Sequence, residues 1–180
     1  MMTPPTLMEL LKNVMDVEFP KEALKAGFIT PVYFDYGHYR EITNRLKGRD
    51  RQITNKGKKY PLVWLVMDFE EDFNGNELGI YCSTSIQVII ACSTKKDSTT
   101  PGRILDNFSP ILIPVYNIFL NAIRASTTFQ TIGLKDPEHT RVLRPYWDGS
   151  DNTGTGNLFD DFIDAIQLKN LKLKIKNKIC

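Results

Sequence analysis

The stretch from Ile80 to Cys92 constrains the fold more than any other part of the chain. Ile80, Cys82, Thr84, Ile86, Val88, Ile90 and Cys92 share one parity, and Tyr81, Ser83, Ser85 and Gln87 share the other. Alternation over this length is the period of a β-strand with one buried face. A strand of that kind needs neighbours to pair with and a layer to cover its apolar side.

Neighbours are present. Leu62-Val63-Trp64-Leu65-Val66-Met67 is a continuous apolar run entered through Pro61, the pattern of a strand covered on both faces. Phe28 to Tyr36 is β-branched and aromatic, and Pro31 argues for an edge position. Thr140 to Tyr146 reads as a further strand. In the last segment, Phe162 to Ile175, Ile166 and Leu168 share a parity, whereas Leu171, Leu173 and Ile175 take the other and alternate with Lys172, Lys174 and Lys176. A β-bulge at Lys169-Asn170 restores a single inward face. The acidic stretch Asp68 to Glu77, with Asn74-Gly75, is expected as a hairpin connection.

Two helical patterns supply the covering layer. Thr6 is placed to cap a helix with apolar positions Leu7, Leu10, Leu11, Val14 and Met15, and Glu9 completes a capping box. Phe19-Pro20 is expected to end it, with a short helical stretch from Lys21 to Ala26 stopped by Gly27. Thr100-Pro101 opens a longer helix through Ile104, Phe108, Ile111, Leu112, Val115, Phe119, Ala122 and Ile123. Pro110 and Pro114 predict a kink or split there, with Ser109 capping the second part. The expected fold is α+β: a mostly antiparallel twisted sheet with an N-terminal helix and a long helix packed on one face. It forms a single domain over 1–180, with an extended basic loop at 37–59 and a Gly/Asp loop at 147–157.

Composition narrows the function classes. The 180 residues suffice for one core. Lys+Arg 23 against Asp+Glu 21 leaves a net charge of +2, so no whole-molecule field favours nucleic acid or a membrane. Cys82 and Cys92, ten residues apart on one strand, lie about 33 Å apart and cannot be bridged. They read as small apolar residues in a reducing compartment. Met1-Met2-Thr3-Pro4-Pro5 carries no signal-peptide pattern. The apolar segment Ile111 to Leu120 is too short to span a bilayer. A soluble chain made inside the cell, without a membrane partner, is expected.

No chemistry-bearing constellation stands out. The two histidines, His38 and His139, are far apart, and no Cys-x-x-Cys occurs. Glu70, Asp72, Asn74, Gly75 and Asn76 imitate half a calcium loop, but Tyr81 stands where the bidentate Glu is needed. Cys82 and Cys92 sit on the apolar face, where a thiol is inert, and Cys180 is the terminal residue. Gly154-Thr155-Gly156 is an isolated Gly-x-Gly, and of Asp160, Asp161 and Asp164, a set that could make a cation or acid/base site, Asp160 and Asp164 better suit strand entry or helix capping. No catalytic residue, metal or cofactor is expected, and the chain does not read as an enzyme.

The charged residues read instead as contact residues. Arg40, Arg45, Arg49, Arg51, Lys58 and Lys59, together with Lys47 and Lys56, make 37–59 an exposed contact arm with room for a helical turn around Glu41 to Leu46, since a long connection in a compact domain tends to be functional. Lys172, Lys174 and Lys176 either guard a strand edge or meet phosphate or the acidic stretch Asp68, Glu70, Glu71 and Asp72 of another copy. Copies arranged head to tail in this way close into rings. Between Gln167 and Cys180 there is no aromatic residue, which counts against base stacking.

The order of these elements resembles the tail-terminator and tail-completion family of tailed bacteriophages. The matching places are Thr6 to Met15, Tyr60-Pro61-Leu62-Val63-Trp64-Leu65-Val66-Met67, Ile80 to Cys92, Arg103 to Ala125, and Phe162 to Ile175. The overall look is also similar to proteins of phages infecting Bacteroidetes, including crAss-like ones. The resemblance implies a structural protein of the virion forming a homo-oligomeric ring, a hexamer or higher, in the neck or tail. Its partners would be copies of itself and adjacent neck, tail or portal-side proteins, with DNA near by in the lumen. The basic segment from Arg40 to Lys59 and the loop from Gly149 to Asn157 would be arms reaching neighbouring rings. The alternatives are a head-completion or portal adaptor and, in a different class, a small accessory enzyme or nucleic-acid-binding protein on a ferredoxin-like sheet.

Overall fold

Thr6 opens the first helix as its spacing predicts. Its hydroxyl accepts from the Glu9 amide, and the Glu9 carboxylate accepts from the Thr6 amide at 2.7 Å, which satisfies two orphan donors. In the computed structural model, which describes residues 6–51, 59–67, 69–76, 79–129, 136–148 and 162–176, the helix then runs past its expected stop. α1 (Leu7–Asn13) leads through a π-helical turn (Val14–Glu18) into α2 (Phe19–Lys25), whose first turn holds Pro20. Proline breaks an α-helix because it lacks an N–H and its ring meets the carbonyl four residues back. The wider π turn ahead of it shifts those carbonyls, so the helix continues. Gly27, at φ 67°, ends the run, and the Phe28 amide closes back on the Ala23 carbonyl.

The second helical run repeats the device. Thr99 caps α4 (Thr100–Arg103), a π-helical segment (Ile104–Leu112) contains Pro110, and α5 (Ile113–Ala125) takes Pro114 in its first turn. Where a kink or split was expected, the run stays continuous through a π-helical segment, and Ser109 lies inside that segment rather than at a cap. The continuous run Thr100–Ala125 has 26 residues and by length and composition alone could cross a membrane, which the ten-residue apolar stretch did not suggest. Its Phe108, Leu112, Val115, Ile118, Phe119, Ala122 and Ile123 are buried in the core of the domain.

The strands are β1 (Tyr33–Gly37), β2 (Leu62–Val66), β3 (Glu71–Asn76), β4 (Gly79–Ser93), β5 (Thr140–Trp147) and β6 (Ile163–Lys176). They form one sheet in the order β1-β2-β4-β6-β5, with β3 also paired to β4. β1 is parallel to β2, and every other pairing is antiparallel. β2 and β3 follow one another along the same side of β4, against Gln87–Ala91 and Gly79–Thr84 respectively. Asn74-Gly75 is therefore not the hairpin turn: it lies within β3, and the ladder closes at Asn76 opposite Gly79. β1 starts at Tyr33, later than expected, and it does lie at a sheet edge.

One face of the sheet presents Val63, Leu65, Ile86, Val88, Ile90, Ile166, Leu168, Leu171 and Leu173, which pack with α1, α2 and the long helical run. The opposite face presents Leu62, Trp64, Val66, Ile89, Ala91, Ile163 and Ala165. That second core exists because residues 39–51 are not loop. α3 (Tyr39–Arg51) brings Ile42 and Leu46, one helical turn apart, onto Trp64 and its neighbours. The expected basic loop is thus a helix over most of its length, while 52–58, Asp68 and the Gly/Asp loop beyond Asp148 lie outside the described residues.

The bulge at Lys169-Asn170 is where the parity slip placed it. Ile86 opposes Leu171 and Val88 opposes Leu168, so Gln87 alone stands against Lys169 and Asn170. Asn170 takes φ 54°, the left-handed conformation such a bulge uses. Asn170→Gly is expected to leave stability near wild type, while Asn170→Val costs about 1–2 kcal/mol because a β-branched residue resists that conformation. Urea unfolding of both variants checks this; equal stability would show that the bulge does not depend on residue 170.

Candidate functional site

The most tightly specified corner of the molecule lies where β1 turns into α3. Gly37, at φ 149°, makes the turn, and a Cβ there would stand 2.7 Å from Arg45 Nη2 and 2.9 Å from Glu41 Oε2. Its carbonyl accepts from the Trp64 indole at 3.1 Å and from the Met67 amide at 3.2 Å. Glu41 reaches back to accept from the His38 amide at 3.3 Å. Tyr39 packs edge-on to Trp64, with ring centroids 4.8 Å apart, and its hydroxyl accepts from Gln87 Nε2 at 2.6 Å. These contacts tie α3 to β2 and β4 although few of its residues are apolar.

The basic residues expected to act as one arm are separated by this geometry. Arg40 is exposed on α3. Arg45 turns back onto β1, where it pairs with Asp35 at 2.9 Å and donates to the Tyr36 carbonyl. Lys59 is buried at 8% exposure, so it is not an arm residue. Arg49 and Arg51 belong to α3, with side chains outside the described set, and Lys58 lies outside the described residues.

Of the acidic residues, Asp72 shares a surface with the lysine row, whereas Glu71 opposes Thr84 on the other face. Glu70, Glu71 and Asp72 are exposed, the last two on β3, and the Glu70 carbonyl accepts from the Thr84 hydroxyl at 2.7 Å. Asp72 opposes Ser83, Ser83 opposes Lys174, and Ser85 opposes Lys172. Opposed residues share a sheet face, so Asp72 and Lys174 stand on the face away from the long helix, two strands or about 10 Å apart. Lys172 pairs with Glu138 at 3.1 Å, both largely exposed, and Lys176 is the last residue of β6. Acid and base from two copies would therefore meet through the same face of each.

Sequence reasoning missed the main buried polar group. Asp164, fully buried on β6, accepts from Asn107 Nδ2 at 2.6 Å and from the Tyr146 amide at 2.9 Å, with Arg103 Nη1 at 3.7 Å. Arg103 also donates to the Thr94 hydroxyl and to the carbonyls of Lys95 at 2.8 Å and Ser98 at 2.7 Å. Its guanidinium lies 4.4 Å from the centre of the Tyr146 ring, and Phe162 stacks on that ring at 4.0 Å. Tyr146 is held at φ 50°, which a Tyr adopts only under such restraint. The one available signal was a carboxylate interrupting the apolar start of β6. The network locks the start of the long helical run to β5 and β6, and no buried side-chain polar atom among the described residues lacks a partner.

Two further groups bear on chemistry. Burial, and after it the Asp164 charge, pushes the Cys92 thiol up to about 12, which makes it a poor nucleophile. Tyr116 bonds His139 Nε2 at 2.8 Å, and the Pro137 carbonyl can only accept, so His139 Nδ1 donates to it at 2.6 Å. Desolvation raises the Tyr116 hydroxyl above its ordinary value. The pair joins α5 to the segment entering β5. No group of three side chains suited to a metal occurs among the described residues. No family model and no curated protein sequence matches this chain.

The buried network and the thiol give two measurable outcomes. Asp164→Ala, which strands Arg103, is expected to cost about 3–5 kcal/mol in urea unfolding; a loss below about 1 kcal/mol would mean the network is dispensable. An unfolded thiol releases its proton near pH 9, whereas the native Cys92 holds it to about 12. Across that window the native state binds the extra proton, so stability falls as pH rises. Cys92→Ala is expected to remove up to about 1.4 kcal/mol per pH unit of that slope. Identical alkaline slopes for wild type and variant would refute the assignment.

Proposed function

We propose that this chain is a structural subunit that assembles with copies of itself into a ring, of the kind found in the neck or tail of a tailed-phage virion. The observation that carries the reading is element order. A capped leading helix, a strand entered through Pro61, the β3–β4 hairpin, the long helical run and two closing strands come in this order along the chain, with β1 and α3 between the first two. That is the succession on which the resemblance to tail-terminator and tail-completion proteins rests. The use of polar groups supports the same reading: Asp164 and Arg103 are spent on internal bonds, while Arg40, Glu71, Asp72, Lys172 and Lys174 stand at the surface. Surface charges set partner choice and register in self-association more than they set affinity.

Light scattering of the purified full chain, with negative-stain images of the same sample, tests the proposal. Closed rings of six or more subunits are the expected result. A monomer at every concentration, including after mixing with phage neck and tail proteins, would overturn it.

A further inference from the structure

β1 is an edge strand, and its ladder shows which of its backbone groups face outward. The Tyr33 amide donates to the Pro61 carbonyl, and the Gly37 carbonyl accepts from the Met67 amide. Residues 33, 35 and 37 therefore turn toward β2, and the alternate residues, Phe34 and Tyr36, turn their N–H and C=O away from the sheet. An outward row of this kind is a template for a further strand. Here the Tyr36 pair is occupied by side chains. Its amide donates to Asp35 Oδ1 at 2.9 Å, its carbonyl accepts from Arg45, and Arg45 Nη2 lies 2.9 Å from the same Asp35 oxygen. One guanidinium reaching across from α3 closes the outer edge of a five-residue strand.

The other end of the sheet supplies a matching strand. β1 and β2 run together, and each of β4, β6 and β5 reverses the direction of its neighbour, so β5 runs opposite to β1. A second copy displaced sideways in the same orientation would bring its β5 against this β1 in the antiparallel sense. The lengths suffice: β5 has eight residues and β1 has five.

We propose that Arg45 guards the β1 edge, and that its displacement opens this edge to the β5 strand of a second copy, head to tail. The choice of partner rests on the self-assembly reading above. Such a contact uses two different surfaces, so repetition generates either a closed ring or an open filament. While Arg45 holds the Tyr36 carbonyl and Asp35, the edge is shut in the free chain.

The test compares the full-length wild type with Arg45→Met, which keeps the stem and removes the donors. Far-UV circular dichroism follows the fold, and light scattering over a concentration series follows assembly. Arg45→Met is expected to assemble at a concentration at least about tenfold lower than wild type. Adding Tyr36→Pro, which removes an outward N–H and no bond to β2, is expected to reverse that gain. A folded Arg45→Met that assembles like wild type, or a gain that survives Tyr36→Pro, would overturn the proposal. Should Arg45→Met not fold, Arg45→Leu, which also lacks the donors, gives the same comparison, and no gain there also counts against it. Rings in wild type with no effect of Arg45 would sink the guard alone. Open filaments of Arg45→Met, with no closed ring from either protein, would sink the ring reading alone.

Discussion

The ladder between β4 and β6 is the constraint on which the rest of the molecule depends. It joins the two longest strands, from Tyr81 opposite Lys176 to Ser93 opposite Ile163. Without the bulge at Asn170, a period of two would send either Leu171, Leu173 and Ile175 or Ile166 and Leu168 to the wrong side. With it, all five join the core beneath the helices. The bulge thereby gives the lysines their direction, because Lys172 and Lys174 alternate with residues that have to go inward. A feature of the backbone at one residue decides which face of β6 carries its C-terminal lysines.

The helical layer depends on a second backbone adjustment. Both long helical runs contain prolines where an α-helix would break, and both carry a π-helical stretch before or around them. The π segment in the second run holds Asn107, whose amide reaches Asp164 and the Ser93 carbonyl at 3.2 Å. The prolines and the buried carboxylate are thus parts of one arrangement: the widened turn accommodates the ring and delivers a donor to the sheet. π turns are often retained for such local uses.

What could be read from the sequence was whatever has a strict period or a local signature. The capping box at Thr6 and Glu9, the alternation of β4, the apolar run of β2 and the parity slip at Lys169-Asn170 all appear as expected. Hidden were the features set by partners distant in the chain. α3 shows only Ile42 and Leu46 as apolar anchors within a basic stretch, which suggests a helical turn from Glu41 to Leu46 but not the full helix to Arg51 that packs on Trp64. Asn74-Gly75 carries a strong turn signal, yet pairing along the whole of β3 moves the reversal beyond Asn76. Lys59 belongs to a run of charges but is buried, and Asp164 looks like a strand-entry residue until Arg103 and Asn107 are brought to it.

The placement of charge follows from these constraints and bears on how copies could meet. An acid and a lysine on one face, about two strands apart, allow a contact in which the same surface is used twice, and that pairs subunits rather than chaining them. A ring needs two different surfaces per subunit, and the two ends of the described sheet, β1 and β5, are one such pair. The end that carries Asp35 is closed by a residue from α3, the helix that the basic composition of 37–59 concealed. If assembly proceeds through the sheet ends, then the segment expected to reach outward as an arm acts instead by reaching inward, and its most consequential basic residue is the one whose charge is already engaged.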